Sequence, residues 1–165
     1  MQLDEFKNEL NNVNVRDIEK LKAKVDSHDN IIIIGNGGSN SIASHISQDY
    51  TKQLGKRAFS FSDPSRLTCY INDYGMEDAY KQFLSEFADD KTLIILISSS
   101  GNSKNIVNCA KWCIRRDLEM ITLSGFDVNN KLKTLTQEHF LHFWVNSKDY
   151  GIVECIHQII LHTVV

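Results

Sequence analysis

The sequence predicts an α/β fold, in which a doubly wound, mostly parallel five-stranded sheet is flanked by helices as a flavodoxin-like three-layer sandwich. Three observations support this prediction. Short runs of isoleucine and leucine alternate with longer segments of helical periodicity. Two of these runs end in turns rich in glycine or serine, at 35–39 and 98–103. A single proline, Pro64, leaves no linker-like stretch, so we expect one domain over residues 1–165.

The predicted strands are short and strongly apolar. Ile31–Ile34 is a run of four isoleucines between Asn30 and Gly35, which is typical of a strand buried on both faces of a parallel sheet. The other predicted strands lie at about 57–61, 92–97, 118–123 and 140–145.

Helical periodicity fills the intervals between the strands. The predicted helices cover about 39–54, 66–87 with an interruption near Asp73–Gly75, 102–116 and 149–164. The polar residues 124–138 predict a loop with at most a short helix. Apolar residues at helical intervals over 4–26 predict one or two amphipathic helices, so that residues 1–28 form an N-terminal helical arm.

Composition narrows the classes of function. The 165 residues are 42% hydrophobic and 24% charged, and the net charge of −3 offers no basic surface for nucleic acid. The start of the chain lacks the pattern of a secretion signal, and the longest aliphatic run, Leu93–Ile97, is too short to span a membrane. We therefore expect a cytoplasmic protein with a small-molecule partner, and no nucleic-acid or membrane partner.

The cysteines lack the CxxC spacing of metal sites, so we expect them to be reduced and mostly buried. They are Cys69, Cys109, Cys113 and Cys155. Cys109 and Cys113 lie one helical turn apart and could share a metal, although packing on a buried helix face is the favoured explanation.

The first polar turn is G-N-G-G-S, Gly35–Ser39, directly after the isoleucine strand. Gly35, Gly37 and Gly38 allow a tight turn and bring backbone N–H groups close to a ligand at a helix N-terminus. Three glycines in four positions favour an anion or polyol site over a plain strand-to-helix turn.

The second polar turn is S-S-S-G-N-S, after the third predicted strand. The hydroxyls of Ser98, Ser99, Ser100 and Ser103 can donate to phosphate oxygens, and the helix that follows adds the partial positive charge of its N-terminus. One hydroxyl is enough to cap a helix, so four favour a phosphate site over capping alone.

A nucleotide site is a weaker alternative. Gly35 and Gly37 open a βαβ unit and Asp63 follows the second strand, where a ribose-binding acid could lie. The dinucleotide motif GxGxxG, however, needs a glycine where this chain has Asn40, and the triphosphate motif GxxxxGK[ST] is absent from the sequence.

Two helices carry groups suited to proton or metal chemistry. His45 and Asp49 are four residues apart, which places them on one helix face. Glu154 and His162 lie in the largely apolar last helix, where buried polar groups need partners. His157 lies on a neighbouring face, and for the histidines of this helix a satisfied core histidine is the interpretation that the residues alone favour.

Asn72 and Asp73 end one helical pattern just before Gly75. Asp73 could bind a ligand hydroxyl, or it could cap the helix that follows. The sequence leaves both roles open.

Four segments together resemble the sugar isomerase (SIS) domain family, and within it the phosphoheptose isomerases: GNGGSNSIASHISQD, LTCYINDYG, ISSSGNSKNI and SKDYGIVECIHQIILH. The resemblance runs from about Asn30 to His162. It implies a SIS domain, a homotetramer with sites between subunits, and an aldose–ketose isomerase. The implied reaction converts sedoheptulose 7-phosphate to D-glycero-D-manno-heptose 7-phosphate, or isomerises a related sugar phosphate, through an enediol(ate), for precursors of lipopolysaccharide or capsule.

The same resemblance assigns roles to individual residues. Those implied to contact the substrate are Asn36, Gly37, Gly38, Ser39, Asn72 and Asp73. Those implied to hold its phosphate are Ser98, Ser99, Ser100 and Ser103. The metal and catalytic set, which binds zinc in some members of the family, corresponds to His45, Asp49, Glu154 and His162.

Two of these last four positions depart from the family, which usually has glutamate where this chain has Asp49 and glutamine where it has Glu154. The added carboxylate could act as the base or strengthen a metal site, so the two changes could compensate. We expect Asp49 or Glu154 to be the base, His162 the acid, and His45 a metal ligand or orienting group. Because the phosphate loop is kept while the catalytic set differs, a non-catalytic SIS module that binds a sugar phosphate or a protein is the alternative.

Overall fold

The computed structural model describes residues 2–165; Met1, the first residue of the predicted arm, lies outside the described residues. The helices are α1 Gln2–Asn11, α2 Val15–Asp26, α3 Gly37–Leu54, α4 Pro64–Phe87, α5 Lys104–Arg115, α6 Lys131–Thr136 and α7 Tyr150–His162. The strands are β1 Asn30–Ile34, β2 Arg57–Ser60, β3 Thr92–Ser98, β4 Met120–Ser124 and β5 Leu141–Trp144. Each predicted strand and helix is present, with its bounds shifted by a few residues.

The sheet has the strand order β2-β1-β3-β4-β5, and all four pairings are parallel. The flavodoxin-like prediction is confirmed, and the sheet is entirely rather than mostly parallel. In this order the chain reverses direction across the sheet between β1 and β3, which is where open α/β sheets bind ligands. The two polar turns follow these two strands, so the topology brings them to one edge.

Alternate residues of the central strands face two separate cores, because successive side chains of a strand point to opposite faces. In β1, Ile31 and Ile33 pack with α2, α3 and α7, whereas Ile32 and Ile34 pack with α4, α5 and α6. All four isoleucines are fully buried. The isoleucine run therefore has the two-sided burial expected of a strand between helical layers.

Helix α4 is interrupted as predicted, because Gly75 has non-helical angles of φ 74° and ψ 160°. The short helix expected within 124–138 is α6. No helix within residues 2–165 combines the length and apolar character needed to cross a membrane.

The prediction that the cysteines are mostly buried is wrong for two of them. Cys69 and Cys155 lie on exposed helix faces, whereas Cys109 and Cys113 are buried in the core beneath α5. Burial raises the pKa of the Cys113 thiol to about 12 and that of Cys109 well above its usual value. Both thiols pack within this apolar core, in line with the favoured explanation.

Candidate active site

A cavity of about 220 Å³ lies where the two polar turns meet at the carboxyl edge of the sheet. The predicted residues that line it are Asn36, Gly37, Gly38, Ser39, Ser98, Ser99, Ser100 and Ser103. Ile97 of β3 and two residues of α7, Tyr150 and Glu154, complete the wall. The structure thus brings all eight predicted loop residues to one cavity.

The helix N-termini at this cavity have free donors. Asn36 and Ser103 occupy the N-cap positions of α3 and α5, and neither side chain makes the usual capping hydrogen bond. Apart from the Ile106 N–H, which donates to Asn105 Oδ1, the first backbone N–H groups of both helices are therefore uncapped, and each helix dipole adds its positive end. This arrangement suits an anion with several oxygens, such as a phosphate.

The second polar turn, Ser98–Ser103, is called the serine turn; it is tight and is supported by neighbouring residues. Gly101 has a φ of +63° and donates its N–H to the Ser98 carbonyl at 2.8 Å. Its missing side chain leaves room for the Asn130 amide, which a Cβ at Gly101 would overlap. Gly101 also accepts a hydrogen bond from the Leu132 N–H at 2.9 Å. The N-terminus of α6 therefore fixes the shape of the serine turn.

Glu154 enters the cavity from the first turns of α7. Its carboxylate lies against Gly38, at a position that any side chain there would fill. Burial raises the pKa of the Glu154 carboxyl above its usual value. A partly buried carboxylate with a raised pKa, next to a polar ligand cavity, is suited to accept and return a proton.

His157, one turn after Glu154, anchors α7 to the sheet. Its side chain is fully buried, and Nε2 lies 3.1 Å from the backbone oxygen of Ser124 at the end of β4. A carbonyl only accepts, so Nε2 carries the proton, and Nδ1 has no partner. Burial lowers the pKa of His157 to about 4. The interpretation of a core histidine therefore holds for His157, although its Nδ1 is unsatisfied.

His45, Asp49 and His162 form a second group, on the facing sides of α3 and α7. Asp49 Oδ2 lies 3.1 Å from His162 Nε2 and 3.4 Å from His45 Nε2. One ligand atom from each of the three lies within 4.8 Å of the others. The other ring nitrogen of His162, Nδ1, is 3.0 Å from the Gln158 carbonyl and must donate to it. His162 Nε2 therefore faces the carboxylate either as a second donor or with its lone pair free for a metal.

Glu154 does not join this group. It precedes His162 by eight residues on α7, which is about 12 Å along a helix axis. Three of the four predicted metal and catalytic residues meet, and the fourth lies with the polar turns.

Asn72 and Asp73 lie on an exposed part of α4 and do not line the cavity. Asn72 Nδ2 donates to Asp73 Oδ1 at 2.9 Å, and the Cys69 thiol donates to Asp73 Oδ2 at 3.6 Å. Their role in ligand binding stays a prediction.

Two residues at this site were not predicted from the sequence. Tyr150 lines the cavity mouth, and its ring contacts that of Phe126 at 4.8 Å in an edge-to-face arrangement. Asn105 lies behind the cavity and is hydrogen-bonded to Asn36. Asn105 follows the serine turn by two residues, and its position in the first helical turn was the available signal.

The chain is similar to characterised proteins. A phosphoheptose isomerase of Fusobacterium nucleatum is 34% identical over 140 residues, covering 82% of this chain and 70% of that protein. A phosphoheptose isomerase of Cytophaga hutchinsonii is 29% identical over 143 residues, covering 82% and 72%. A scan against protein-family models gives no match.

A solved structure shares the fold. The phosphoheptose isomerase of Neisseria gonorrhoeae superposes with a TM-score of 0.87 at 24% identity, over 96% of this chain and 88% of that one. At this identity, the superposition shows a shared arrangement of strands and helices.

Proposed function

The chain belongs to the phosphoheptose isomerase family, and from this premise we propose that it is an aldose–ketose isomerase that acts on sedoheptulose 7-phosphate. The proposed product is D-glycero-D-manno-heptose 7-phosphate, or the matching aldose of a related sugar phosphate, for lipopolysaccharide or capsule precursors. The observation that carries the proposal is the cavity in which two donor-rich turns meet the Glu154 carboxylate.

In this proposal the serine turn holds the phosphate. The hydroxyls of Ser98, Ser99, Ser100 and Ser103 and the N-terminus of α5 supply donors without a fixed positive side chain. The other turn binds sugar hydroxyls through Asn36, Gly37, Gly38 and Ser39. Asn72 and Asp73 do not line this cavity, and in this proposal they would contact substrate bound to a neighbouring subunit.

Glu154 is the favoured base. Isomerisation moves a proton between adjacent carbons through an enediol(ate), which needs a group that alternately accepts and returns it. Glu154 faces the cavity and burial raises the pKa of its carboxyl. Asp49 Oδ2 lies within 3.4 Å of an imidazole nitrogen of both His45 and His162, so its carboxylate is less free to take a substrate proton.

His45, Asp49 and His162 would hold a zinc ion. Two imidazole nitrogens and one carboxylate oxygen are the ligand types that Zn²⁺ prefers, and the hydrogen bond from His162 Nδ1 to Gln158 orients its ring for ligation. When bound, zinc would polarise an oxygen of the sugar. Without a metal, His162 would serve as the acid, with Asp49 orienting its ring.

We propose that the active protein is a homotetramer with sites between subunits, in the cytoplasm. His45 is 52% exposed on its side chain, and Leu3 and Val15 of the first two helices are exposed apolar residues. Both observations are those expected of surfaces completed by a second copy. A monomer in light scattering at micromolar concentration would contradict this part of the proposal.

The activity test is incubation of the purified protein with sedoheptulose 7-phosphate, with and without zinc, followed by separation of aldose from ketose. We expect aldose product. Absence of product, while a positive-control isomerase turns over, would contradict the proposal, and phosphosugar binding without turnover would favour the non-catalytic alternative.

Glu154→Gln tests the base. It keeps the shape of the side chain and removes the carboxylate, so we expect a loss of kcat of about 10² to 10⁴-fold. Glu138→Gln is the matched control, because Glu138 is exposed and lies outside the cavity. Unchanged kcat in Glu154→Gln would assign the base to another residue.

A further inference from the structure

Asn105 and Asn36 join the two halves of the site through their side-chain amides. Asn105 lies in the first turn of α5 and is 4% exposed. Asn36 Nδ2 donates to Asn105 Oδ1 at 3.0 Å, and Asn105 Nδ2 donates to Asn36 Oδ1 at 2.9 Å. This reciprocal pair connects the turn after β1 to the helix after β3.

A hydrogen bond from the backbone fixes the orientation of the two amide groups. The N–H of Ile106 donates to Asn105 Oδ1 at 3.0 Å. A backbone N–H can only donate, so the atom that faces it must be the amide oxygen. The other end of the Asn105 amide is then its NH₂ group, which needs an acceptor opposite. Asn36 must therefore present Oδ1 to Asn105 Nδ2, and Nδ2 to Asn105 Oδ1.

We propose that Asn105 is a positioning residue, which fixes the donor and acceptor sides of Asn36 toward the sugar phosphate. The proposal rests on the proposed function for the identity of the ligand. An amide has two N–H groups and an oxygen with two lone pairs, so Asn36 keeps one N–H and one lone pair outside the pair. Asn36 lines the cavity, whereas Asn105 does not.

The consequence is a fixed order of contacts. Two neighbouring sugar hydroxyls that reach Asn36 meet one donor and one acceptor in set positions. Without Asn105, the Asn36 amide can turn over about its last torsion and exchange the two, because that torsion has broad, roughly two-fold preferences. Substrate would then meet the correct arrangement only part of the time.

A double-mutant cycle tests this coupling, with Asn36→Ala, Asn105→Ala and the double variant. Sedoheptulose 7-phosphate binding is measured by calorimetry, and inorganic phosphate binding is measured beside it. We expect Asn105→Ala to weaken sugar-phosphate binding about tenfold, as for one ordered hydrogen bond, and to add little in the Asn36→Ala background. Inorganic phosphate should bind all variants alike. Additive losses, or an equal loss for inorganic phosphate, would overturn the proposal.

Asn105→Asp provides a nearly isosteric test if the alanine variant does not fold. A protonated aspartic acid can donate to Asn36 Oδ1 and accept from Ile106, whereas an ionised one cannot donate. We therefore expect the variant's sugar-phosphate affinity, relative to wild type, to recover as the pH is lowered. A flat ratio, or an equal recovery for inorganic phosphate, would show charge or packing effects alone and overturn the proposal. Wild-type protein that binds the sugar phosphate without turnover would contradict only the proposed function.

Discussion

The carboxylate of Glu154 fills the space into which a side chain at Gly38 would project. The glycines of the first turn thus serve different needs. Gly37 has a φ of +52° and open space where a Cβ would lie, so what the turn needs there is the left-handed backbone conformation that glycine adopts easily. Gly38 supplies the absence of a side chain, which lets α3 and α7 meet at the cavity.

We expect Gly38→Ala to displace the Glu154 carboxylate and lower kcat about a hundredfold, since misplacement by about 1 Å has an effect of that order. Gly55→Ala, outside the cavity, is the matched control. It meets no neighbouring atom but places alanine in the left-handed region, so it should cost about 1–2 kcal/mol of folding free energy while activity per folded molecule is kept. Steady-state kinetics and urea unfolding separate the two effects. Full kcat in Gly38→Ala would contradict the role given to this contact.

Asp49→Asn should weaken zinc binding. The substitution keeps the size of the side chain and removes the charge that faces both imidazoles. Loss of an outer partner of a metal site already costs about 10- to 100-fold in affinity, so loss of a direct ligand's charge should cost at least that. Calorimetric titration of metal-free protein with zinc measures it, with His139→Ala, an exposed histidine outside the group, as control. Equal zinc affinity in wild type and Asp49→Asn would place the metal elsewhere.

The stability of the protein should fall in acid because of His157. Burial lowers the pKa of His157 to about 4, while in the unfolded chain it is close to 6.5. Between these values the unfolded state binds a proton that the folded state does not, so the free energy of unfolding decreases as pH falls from about 6.5 to about 4. The full effect is about 3 kcal/mol. Urea titrations over this range should show a correspondingly smaller loss in His157→Gln, and the same slope in wild type and variant would refute the assignment.

Gly101→Ala should disturb the serine turn more than a positive φ alone explains. Gly55 is the control, because it has a similar φ of +68° and no atom near its missing side chain, whereas alanine at 101 would overlap Asn130. Both variants carry the strain of the left-handed region, about 1–2 kcal/mol. Only Gly101→Ala should also lose affinity for inorganic phosphate, measured by calorimetry. Equal phosphate affinity in the two variants would remove Asn130 from the support of this turn.

Local patterns predicted most of the fold. The isoleucine run, the two polar turns and the helical periods each depend on neighbouring residues, and parallel-sheet topology then brings the turns together. The helix in 124–138 was the weakest prediction, because its six residues, Lys131–Thr136, carry too short a period to identify.

The parts of the site that depend on packing could not be predicted in the same way. Asn105 and Tyr150 matter through partners that are distant in sequence, Asn36 at 69 residues and Phe126 across a loop. The family resemblance placed Glu154 with the histidines, but position along α7 separates them. Asn72 and Asp73 do not line the cavity, and their part in ligand binding stays a prediction.

Helix α7 fixes the spacing between the cavity and the group formed by His45, Asp49 and His162. It places Glu154 at the polar turns and His162 beside Asp49, and a hydrogen bond from His157 attaches the middle of the helix to the end of β4. Deleting one residue between Glu154 and His162 would turn the imidazole by about 100° and draw it back by about 1.5 Å. The number of residues between the two groups is therefore as much a part of the site as their identities, because any change in it alters the angle, the distance or both.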